Sequence, residues 1–362
     1  MLNTDLMTPA ERAAAIANGK GADRLPCNPN IANGVARVYG CKISEFNHNS
    51  KAIAEAQVAT YRRFGCDSLR IFTDLFTWAE AMGATVMFPD DATADLAKPA
   101  ISRVEDIKTL SPADPYKDGR LPVHLDAMKY LQELVKDEIK CAAGIVGPFT
   151  NAFFLFGVDE ALKLIYKNPE ALHKLCRISV ETCKAYAKAV LDIGLTPTIS
   201  DPMSSSTVVS PKVFREFSLP YLKELIDFIK AYNETKVVVH ICGQTNRIWH
   251  DLADTGIGGI SIDNVASLKD CKLAIGHRAK ILGNVDPADI MYLGSPQAVR
   301  KKTLEGILDA YDSPKGYMVM SGCSLPVETP FENIQMMMDT VREVGYPVDP
   351  ERVAGMLKQC RQ

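Results

Sequence analysis

Short apolar runs alternate along this chain with amphipathic segments of helical periodicity. Each run has the length of a strand, and the next run follows only after a turn and a helix-like segment. This alternation is typical of parallel βαβ units, in which a helix connects each strand to the next. Seven runs predict seven strands, at residues 68–72, 142–146, 196–200, 236–241, 259–262, 280–282 and 317–320.

Seven strands, together with one that the pattern leaves unassigned, favour a (β/α)8 TIM barrel of the α/β class. A doubly wound sheet is the alternative for a chain of 362 residues. No Gly-x-Gly-x-x-Gly motif follows a strand, and no Walker-type glycine loop occurs, which weakens a nucleotide-binding interpretation. Because α/β barrels of this length form one unit, we expect a single domain over residues 1–362.

Two segments depart from the repeat. Residues 1–30 are predicted to form an N-terminal arm, whose helix begins at Pro9 behind a capping box of Thr8 and Glu11. Residues 73–101 are longer than a simple strand-to-helix connection. We expect this insertion after an early strand to be a lid or a contact for a partner, and surface decoration is the plainer alternative.

Charge and hydropathy exclude several classes of protein. The chain has 41 basic and 44 acidic residues, a net charge of −3 and no block of five like charges. Binding to nucleic acid or to a membrane surface needs a basic patch, so neither is expected. No apolar stretch approaches the roughly 18 residues of a membrane span, and no signal-peptide pattern is seen. We therefore expect a cytoplasmic protein, in which most of the ten cysteines are small core residues.

One predicted strand ends in a pair of metal-binding residue types. His240 and Cys242 lie two positions apart at the carboxyl end of the run at 236–241. Side chains at that spacing point to the same side of a strand, and zinc prefers nitrogen and sulfur ligands of this kind. A core histidine beside a core cysteine gives the same pattern, so the spacing alone leaves both interpretations open.

Cys323 is a candidate third ligand. It follows the run at 317–320 and therefore lies at the carboxyl end of another strand. All strand carboxyl ends of a barrel meet at one mouth, which is where barrel active sites lie. Three protein ligands with an open fourth position are typical of a catalytic zinc site.

Four carboxylates also follow predicted strands, namely Asp74, Asp201, Asp263 and Asp286. Each is a candidate general base or a group that orients a neighbouring ligand. Each is about equally suited to cap the helix that follows it. Asp286, which precedes a proline, is the most cap-like of the four.

These motifs, in this order, resemble the uroporphyrinogen decarboxylase superfamily along nearly the whole chain. The matching stretches are residues 11–16 with 23–26, 71–75 with 80–83, 144–149, 210–222, 283–287 and 329–333. The resemblance implies a (β/α)8 barrel.

Two branches of that superfamily differ in their chemistry. The decarboxylases hold the carboxylates of a porphyrinogen with N-terminal arginines and use an aspartate and a late histidine. This sequence keeps the aspartate as Asp74, but residues 25–30 contain no arginine pair, and Cys323 stands where the histidine would fall. The other branch resembles methylcobamide:coenzyme M methyltransferases, whose His-x-Cys and late Cys bind zinc. Here these residues are His240, Cys242 and Cys323.

The second branch implies a zinc-dependent corrinoid methyltransferase. Its zinc ion would activate a small thiol such as coenzyme M, and the methyl group would move between that thiol and a methyl-cobamide. Because the Asp-x-His-x-x-Gly motif of cobalamin-binding domains is absent from this sequence, the methyl-cobamide is expected to be carried by a partner corrinoid protein. The direction of transfer is open.

The resemblance also implies roles for individual side chains. Asp201 and Asp74 are expected to orient groups or to accept a proton. Glu80 and Asn284, which lie in matching stretches, are expected to bind substrate. Arg70 and Arg247 are the candidate cations for an acceptor sulfonate, and a surface position is an equal alternative for Arg70.

Three alternatives stay open at the level of sequence. One is a cofactor-free decarboxylase. The second is a methyltransferase with another methyl donor or acceptor, as in O-demethylation or transfer to tetrahydrofolate. The third is a purely structural zinc site, closed by a fourth ligand from Asp201 or Glu328.

Overall fold

The fold is a parallel barrel surrounded by helices, as the alternating pattern predicts. The computed structural model describes residues 5–360, so the first four residues of the predicted arm and the last two of the chain lie outside the described residues. The strands are β1 (Leu69–Ile71), β2 (Thr85–Met87), β3 (Asp95–Lys98), β4 (Cys141–Val146), β5 (Thr196–Ser200), β6 (Val238–Ile241), β7 (Gly259–Ile262), β8 (Lys280–Val285) and β9 (Tyr317–Ser321).

Seven of these strands form one parallel sheet in the order β1-β4-β5-β6-β7-β8-β9. All seven overlap the predicted runs, and β8 continues beyond residue 282 to Val285. The alternation of inward and outward side chains places His240 of β6 beside Ser200 of β5 and Ser261 of β7, its paired residues in the register. The sheet therefore sets three polar side chains in one row inside the barrel.

The remaining gap in the wall, between β9 and β1, is bridged by residues 26–28. Cys27 forms a parallel bridge with Val319 of β9. The amide of Asn28 donates to the carbonyl of Val319 at 2.9 Å, and on the other side the amide of Asp67 donates to the carbonyl of Cys27 at 3.1 Å. The last residues of the predicted arm thus lie in the barrel wall, in the position of the unassigned strand.

Sixteen α-helices are described between residues 5 and 360, and most of them lie outside the sheet. They are α1 (Pro9–Ala17), α2 (Gly34–Tyr39), α3 (Ile43–Phe46), α4 (Ser50–Phe64), α5 (Thr77–Ala81), α6 (Leu121–Val135), α7 (Pro148–Phe156), α8 (Val158–Lys167), α9 (Pro169–Ile193), α10 (Pro211–Val213), α11 (Leu219–Asn233), α12 (Trp249–Asp254), α13 (Leu268–Ile275), α14 (Pro296–Ala310), α15 (Phe331–Val344) and α16 (Pro350–Gln359).

Local sequence signals explain where several helices begin. The capping box of Thr8 and Glu11 is present at α1, and the Asn168 side chain accepts from the amide of Ala171 at the start of α9. Cys176 and Cys183 of α9 are fully buried. One continuous set of buried apolar residues extends from Leu25 to Met356. No helix within residues 5–360 is both long enough and apolar enough to cross a membrane.

The predicted insertion forms a small substructure at the mouth of the barrel. After β1 the chain makes the short helix α5 and then the antiparallel hairpin of β2 and β3. The loop of the hairpin contacts α3, since the amide of Ile43 donates to the carbonyl of Asp90 at 2.9 Å. Met87 of β2 is 52% exposed, so an apolar side chain of this hairpin faces solvent.

A buried ionic cluster connects the arm to the amino end of β1. Arg12 of α1 binds Asp23 at 2.6 Å, and Arg24 binds Asp5 at 2.6 Å and Asp67 at 2.5 Å. Arg12 also pairs with Asp67. Both guanidinium groups are fully buried, and such charges are tolerated in a protein interior only when they are paired in this way.

Candidate metal centre

The structure brings His240, Cys242 and Cys323 together. His240 is on β6, Cys242 follows the end of β6 by one residue, and Cys323 follows the end of β9 by two. The Nε2 atom of His240 lies 3.2 Å from the Cys242 sulfur and 3.7 Å from the Cys323 sulfur, and the two sulfurs are 3.5 Å apart. Their ligand atoms lie within 4.8 Å of one another.

Two of these distances match a tetrahedral zinc site, and the third, from His240 to Cys242 at 3.2 Å, is slightly shorter. Zinc bonds of about 2.3 Å to sulfur and about 2.0–2.1 Å to nitrogen, at tetrahedral angles, set ligand atoms about 3.5–3.8 Å apart. The donor set of one imidazole and two thiols is one that zinc prefers. Glu328, a candidate fourth ligand, is 63% exposed and pairs with Arg37 at 3.5 Å, and it does not belong to the group of ligand atoms.

Two glycines allow the ligand loops to pack closely. Gly243 has a φ of +72°, and a Cβ there would lie 2.5 Å from the Thr207 hydroxyl oxygen. A Cβ on Gly322 would lie 2.5 Å from the amide nitrogen of Asn264. The loop of Cys323 is also held by Ser321, whose hydroxyl donates to the Cys323 carbonyl at 2.7 Å. The backbone therefore fixes both cysteines at the mouth.

The imidazole of His240 is oriented by Ser261. Its Nδ1 atom lies 3.1 Å from the Ser261 hydroxyl and 3.2 Å from the Ser261 carbonyl. Because a carbonyl can only accept, this contact favours a proton on Nδ1 and leaves the lone pair of Nε2 facing the cysteines. Metal-binding histidines are commonly held by a second hydrogen bond of this type.

The two thiols differ strongly in acidity. The hydrogen bond from Cys242 lowers the pKa of Cys323, although burial opposes this. The pKa of Cys242 is raised, because its proton is held in the hydrogen bond to Cys323 and the site is buried. Cys323 is therefore the thiol of the pair that gives up its proton more readily.

Asp201 lies in a cage of hydroxyl groups rather than among the ligand atoms. One carboxylate oxygen accepts from the amide of Thr150 at 2.9 Å, and the other accepts from the hydroxyls of Ser204 at 2.7 Å and Ser218 at 3.4 Å. Its backbone amide donates to the His240 carbonyl at 3.0 Å. Burial raises the pKa of Asp201 despite these hydrogen bonds. The carboxylate thus holds the segment after β5 to the start of α7, and the contact with β6 is made by the backbone amide alone.

Asp74 and Glu80 are joined by a buried arginine that the sequence analysis did not single out. Arg120 donates to Asp74 at 2.8 Å and to Glu80 at 2.7 Å. Asp74 also accepts from the amide of Phe76 at 2.8 Å and from the hydroxyl of Thr77 at 3.2 Å. Burial raises the pKa of Asp74, but the charge and the hydrogen bond of Arg120 outweigh that effect and the pKa is lowered.

The other carboxylates and amides at the mouth are engaged mainly with the protein itself. Asp263 accepts from the amide of Gly243 at 2.8 Å. Asp286 caps the turn that follows, since it accepts from the amides of Ala288 and Asp289 at 2.8 Å each. The Asn284 amide donates to two carbonyls, at 2.9 and 2.6 Å.

The two candidate cations are in very different places. Arg247 lies on an exposed turn after Cys242. Arg70 of β1 lies inside the barrel, where it donates to Ser200 at 2.9 Å and stacks over Phe72 at 4.3 Å. Its Nε atom is buried without a hydrogen-bond partner among the described residues. Burial lowers the pKa of Arg70 to about 10, although the charge of Cys323 opposes this.

Comparisons with known proteins agree on one family. The family model described as Uroporphyrinogen decarboxylase (URO-D) matches residues 8–344. The chain is 28% identical, over 339 residues, to a methylcobamide:CoM methyltransferase of Methanosarcina barkeri, covering 90% of this chain and 95% of that protein. It is 25% identical, over 304 residues, to a uroporphyrinogen decarboxylase of Pseudoalteromonas atlantica, covering 82% and 83%.

A solved structure supports the same fold. It is titled as a methyltransferase from Methanosarcina mazei and superimposes with a TM-score of 0.82 at 27% sequence identity. The match covers 93% of this chain and 99% of that one. The barrel and the surrounding helices are therefore shared over nearly the whole length of both proteins.

Proposed function

The chain belongs to the uroporphyrinogen decarboxylase family of enzymes, and from its His-Cys-Cys cluster we propose that it is a zinc-dependent corrinoid methyltransferase. In this proposal a methyl group moves between a methyl-cobamide, carried by a partner corrinoid protein, and a small thiol such as coenzyme M. The observation that carries the proposal is the convergence of one nitrogen and two sulfur ligand atoms within 4.8 Å at the barrel mouth.

The donor set is suited to thiol chemistry. A zinc ion held by these three residues would supply an open fourth position and would convert a bound thiol to a thiolate. Two anionic sulfur ligands from the chain leave the site electron-rich, which preserves the nucleophilicity of an acceptor sulfur. Ser261 holds the imidazole of His240 in place, and Asp201 holds the β6 backbone at His240.

The proposed reaction balances without another reactant. The acceptor thiol loses its proton to solvent, and its sulfur forms a bond with the methyl carbon of the methyl-cobamide. The cobalt–carbon bond breaks and its electron pair stays on cobalt, which leaves as cob(I)amide. Transfer in the reverse direction, or to another acceptor, uses the same cluster and stays part of the proposal.

The barrel mouth offers a surface for the corrinoid protein. Loops after the strands expose apolar side chains there: Val208 after β5, Val265 after β7 and Leu293 after β8 are 40%, 52% and 71% exposed. Exposed apolar groups that surround a site commonly mark an interaction surface. We propose that the corrinoid protein docks on them and presents its cobalt to the metal centre.

The decarboxylase alternative lacks its cations. Arg12 and Arg24 are the arginines of the amino-terminal segment, and both are fully buried in ion pairs with Asp5, Asp23 and Asp67. They are at the amino end of β1, away from the mouth. A substrate with many carboxylates would have to be held by other groups, so this alternative is disfavoured.

Zinc content tests the metal centre directly. We expect about one zinc per chain in wild type, a large loss in Cys323→Ala, and wild-type content in the matched control Cys41→Ala, a half-buried cysteine outside the cluster. Cobalt(II) substitution provides a second readout, because its thiolate charge-transfer absorption should weaken in Cys323→Ser. Absence of zinc from wild type purified without chelator, with all variants alike, would contradict the proposal.

Methyl transfer from free methylcobalamin to 2-mercaptoethanesulfonate tests the reaction. We expect loss of methylcobalamin absorbance with the zinc-loaded enzyme and none with Cys323→Ala. An enzyme that binds zinc but neither methylates a thiol nor demethylates a methylated thiol would refute the methyltransferase assignment. The proposal of a metal centre would still stand.

A further inference from the structure

The barrel interior below the metal centre is hollow. A cavity of about 400 Å³ reaches His240 and is lined by inward-facing residues of the strands. Barrel interiors are normally filled by large branched side chains, but here Ala142, Thr198 and Ser261 occupy inward positions. A volume of this size is in the range of small-molecule binding sites.

The cavity opens at the amino end of the barrel. Its lining includes Lys140 just before β4, Lys236 just before β6 and Lys280 at the start of β8. Lys140 and Lys236 are exposed to solvent, whereas Lys280 is half-buried. The opening therefore lies opposite the mouth at which we place the corrinoid protein.

The charges along this cavity have one sign. Arg70 and the three lysines line it, and no described residue of the lining is an aspartate or a glutamate. None of these four cations forms an ion pair with a carboxylate in the part of the chain that the structure describes, although the charge of Asp67 acts on Lys280 from outside the lining. An excess of charges of one sign in a recess with low-dielectric walls attracts small ions of the opposite sign.

Arg70 is the innermost of these cations. Its guanidinium has Ser200 as its hydrogen-bond partner, and its Nε atom is buried without one. Leaving donors of a buried guanidinium unpaired is costly unless an anion completes the site. Arg70 is also close enough to Cys323 for their charges to interact, so an anion held at Arg70 would lie near the metal centre.

We propose that this cavity binds a small organic anion, which enters between Lys140, Lys236 and Lys280 and is held by Arg70 and Ser200 beneath His240. The inference rests on the proposed function in one respect: the anion is the charged end of the thiol substrate, whose sulfur points toward the cluster. The two substrates then approach from opposite ends of the barrel, the thiol from below and the methyl-cobamide from above.

Binding of an anion without a thiol tests the site independently of methyl transfer. Calorimetric titration of the zinc-loaded enzyme with ethanesulfonate is compared with ethanesulfonamide, which has nearly the same shape and no charge. We expect the wild type to prefer the anion at least tenfold and Arg70→Gln to lose that preference, while zinc content and thermal stability confirm that the variant is folded. Equal binding of the two compounds, or an unchanged preference in Arg70→Gln, would overturn the proposal.

The route is tested with the double variant Lys140→Gln/Lys236→Gln. We expect its kcat/KM for 2-mercaptoethanesulfonate to fall severalfold at low ionic strength. The difference in kcat/KM between wild type and the double variant should shrink as salt is added. The kcat/KM for the neutral thiol 2-mercaptoethanol should stay unchanged. Equal kcat/KM values in wild type and the double variant would overturn the route.

The experiments separate this inference from the proposed function. The enzyme could bind ethanesulfonate more tightly than ethanesulfonamide and yet methylate no thiol. That result would support the cavity site and refute the methyltransferase proposal. Equal methylation of the anionic and the neutral thiol by wild type and by Arg70→Gln would overturn the cavity site while the methyltransferase proposal stands.

Discussion

Replacing Arg120 with leucine would leave the Asp74 carboxylate buried without its cation. Both residues are almost inaccessible, at 3% and 4% exposure, and the ion pair is 2.8 Å long. Removing one partner of a buried pair costs about 3–5 kcal/mol, because the other charge stays desolvated. In a chain of this size about 1 kcal/mol corresponds to about 2 °C, so the Tm should fall by about 6–10 °C.

The effect should depend on pH in a defined direction. In wild type, Arg120 lowers the pKa of Asp74. The ion pair therefore stabilises the fold at pH values above the ordinary carboxyl pKa of about 4. This stabilisation is lost as the pH falls through the lowered pKa of Asp74. In Arg120→Leu the main influence that lowers this pKa is removed, and burial, the largest single influence, then raises it against the remaining hydrogen bonds of Asp74. The destabilisation should therefore shrink between pH 7 and pH 5, as Asp74 takes up a proton and becomes neutral.

Thermal and urea unfolding followed by circular dichroism measure the effect. Arg103→Leu is the matched control, since that arginine is 70% exposed and should cost less than about 1 kcal/mol. The double variant Asp74→Asn/Arg120→Leu should be more stable than Arg120→Leu alone. Our reasoning would be refuted if Arg120→Leu lowered the free energy of unfolding by less than about 1 kcal/mol. It would also be refuted if that decrease did not depend on pH, or if the effects of the two substitutions in the double variant were strictly additive.

Three further predictions concern the mouth of the barrel. Ser261→Ala should weaken zinc binding about tenfold in a chelator competition, the lower end of the usual range, because the Ser261 carbonyl stays in contact with His240. Gly243→Ala should lower the free energy of unfolding by about 1–3 kcal/mol in a thermal melt. Adding Thr207→Ala should restore only part of that stability, because it removes the clash but residue 243 keeps its positive φ. Asp286→Ala should cost about 0.5–2 kcal/mol in urea unfolding and leave zinc content unchanged, because its carboxylate caps a turn. A drop in zinc content would contradict that last assignment.

Strand positions were predictable because most of the parallel strands coincide with short, largely apolar runs. All seven sheet strands were found in this way. The segment at 26–28 escaped because it is three residues long, begins with a proline and has no apolar periodicity. Its place in the wall depends on contacts with β9 at the far end of the chain, which no local pattern reveals.

The residues of the candidate metal centre could be named from the sequence, but their convergence could not be derived from it. His240 and Cys242 are close in sequence, whereas Cys323 joins them only because β6 and β9 belong to the same barrel. Arg120 was missed because it lies 46 residues from Asp74 in no recognisable motif. The interior position of Arg70, which the sequence left open, follows from its register on β1.

The closing segment and Cys323, the third candidate ligand, depend on the same hydroxyl group. Ser321 accepts from the amide of Asn30 at 3.1 Å and donates to the carbonyl of Cys323 at 2.7 Å. Residues 291 positions apart are thereby joined beside the ligand loop, and contacts between such distant parts of a chain form slowly. A nascent chain can assemble the wall from β1 to β8 before β9 exists, but it cannot hold a metal ion with all three ligands. Under the proposed function, metal capture would thus be a chemical signal that the barrel has closed.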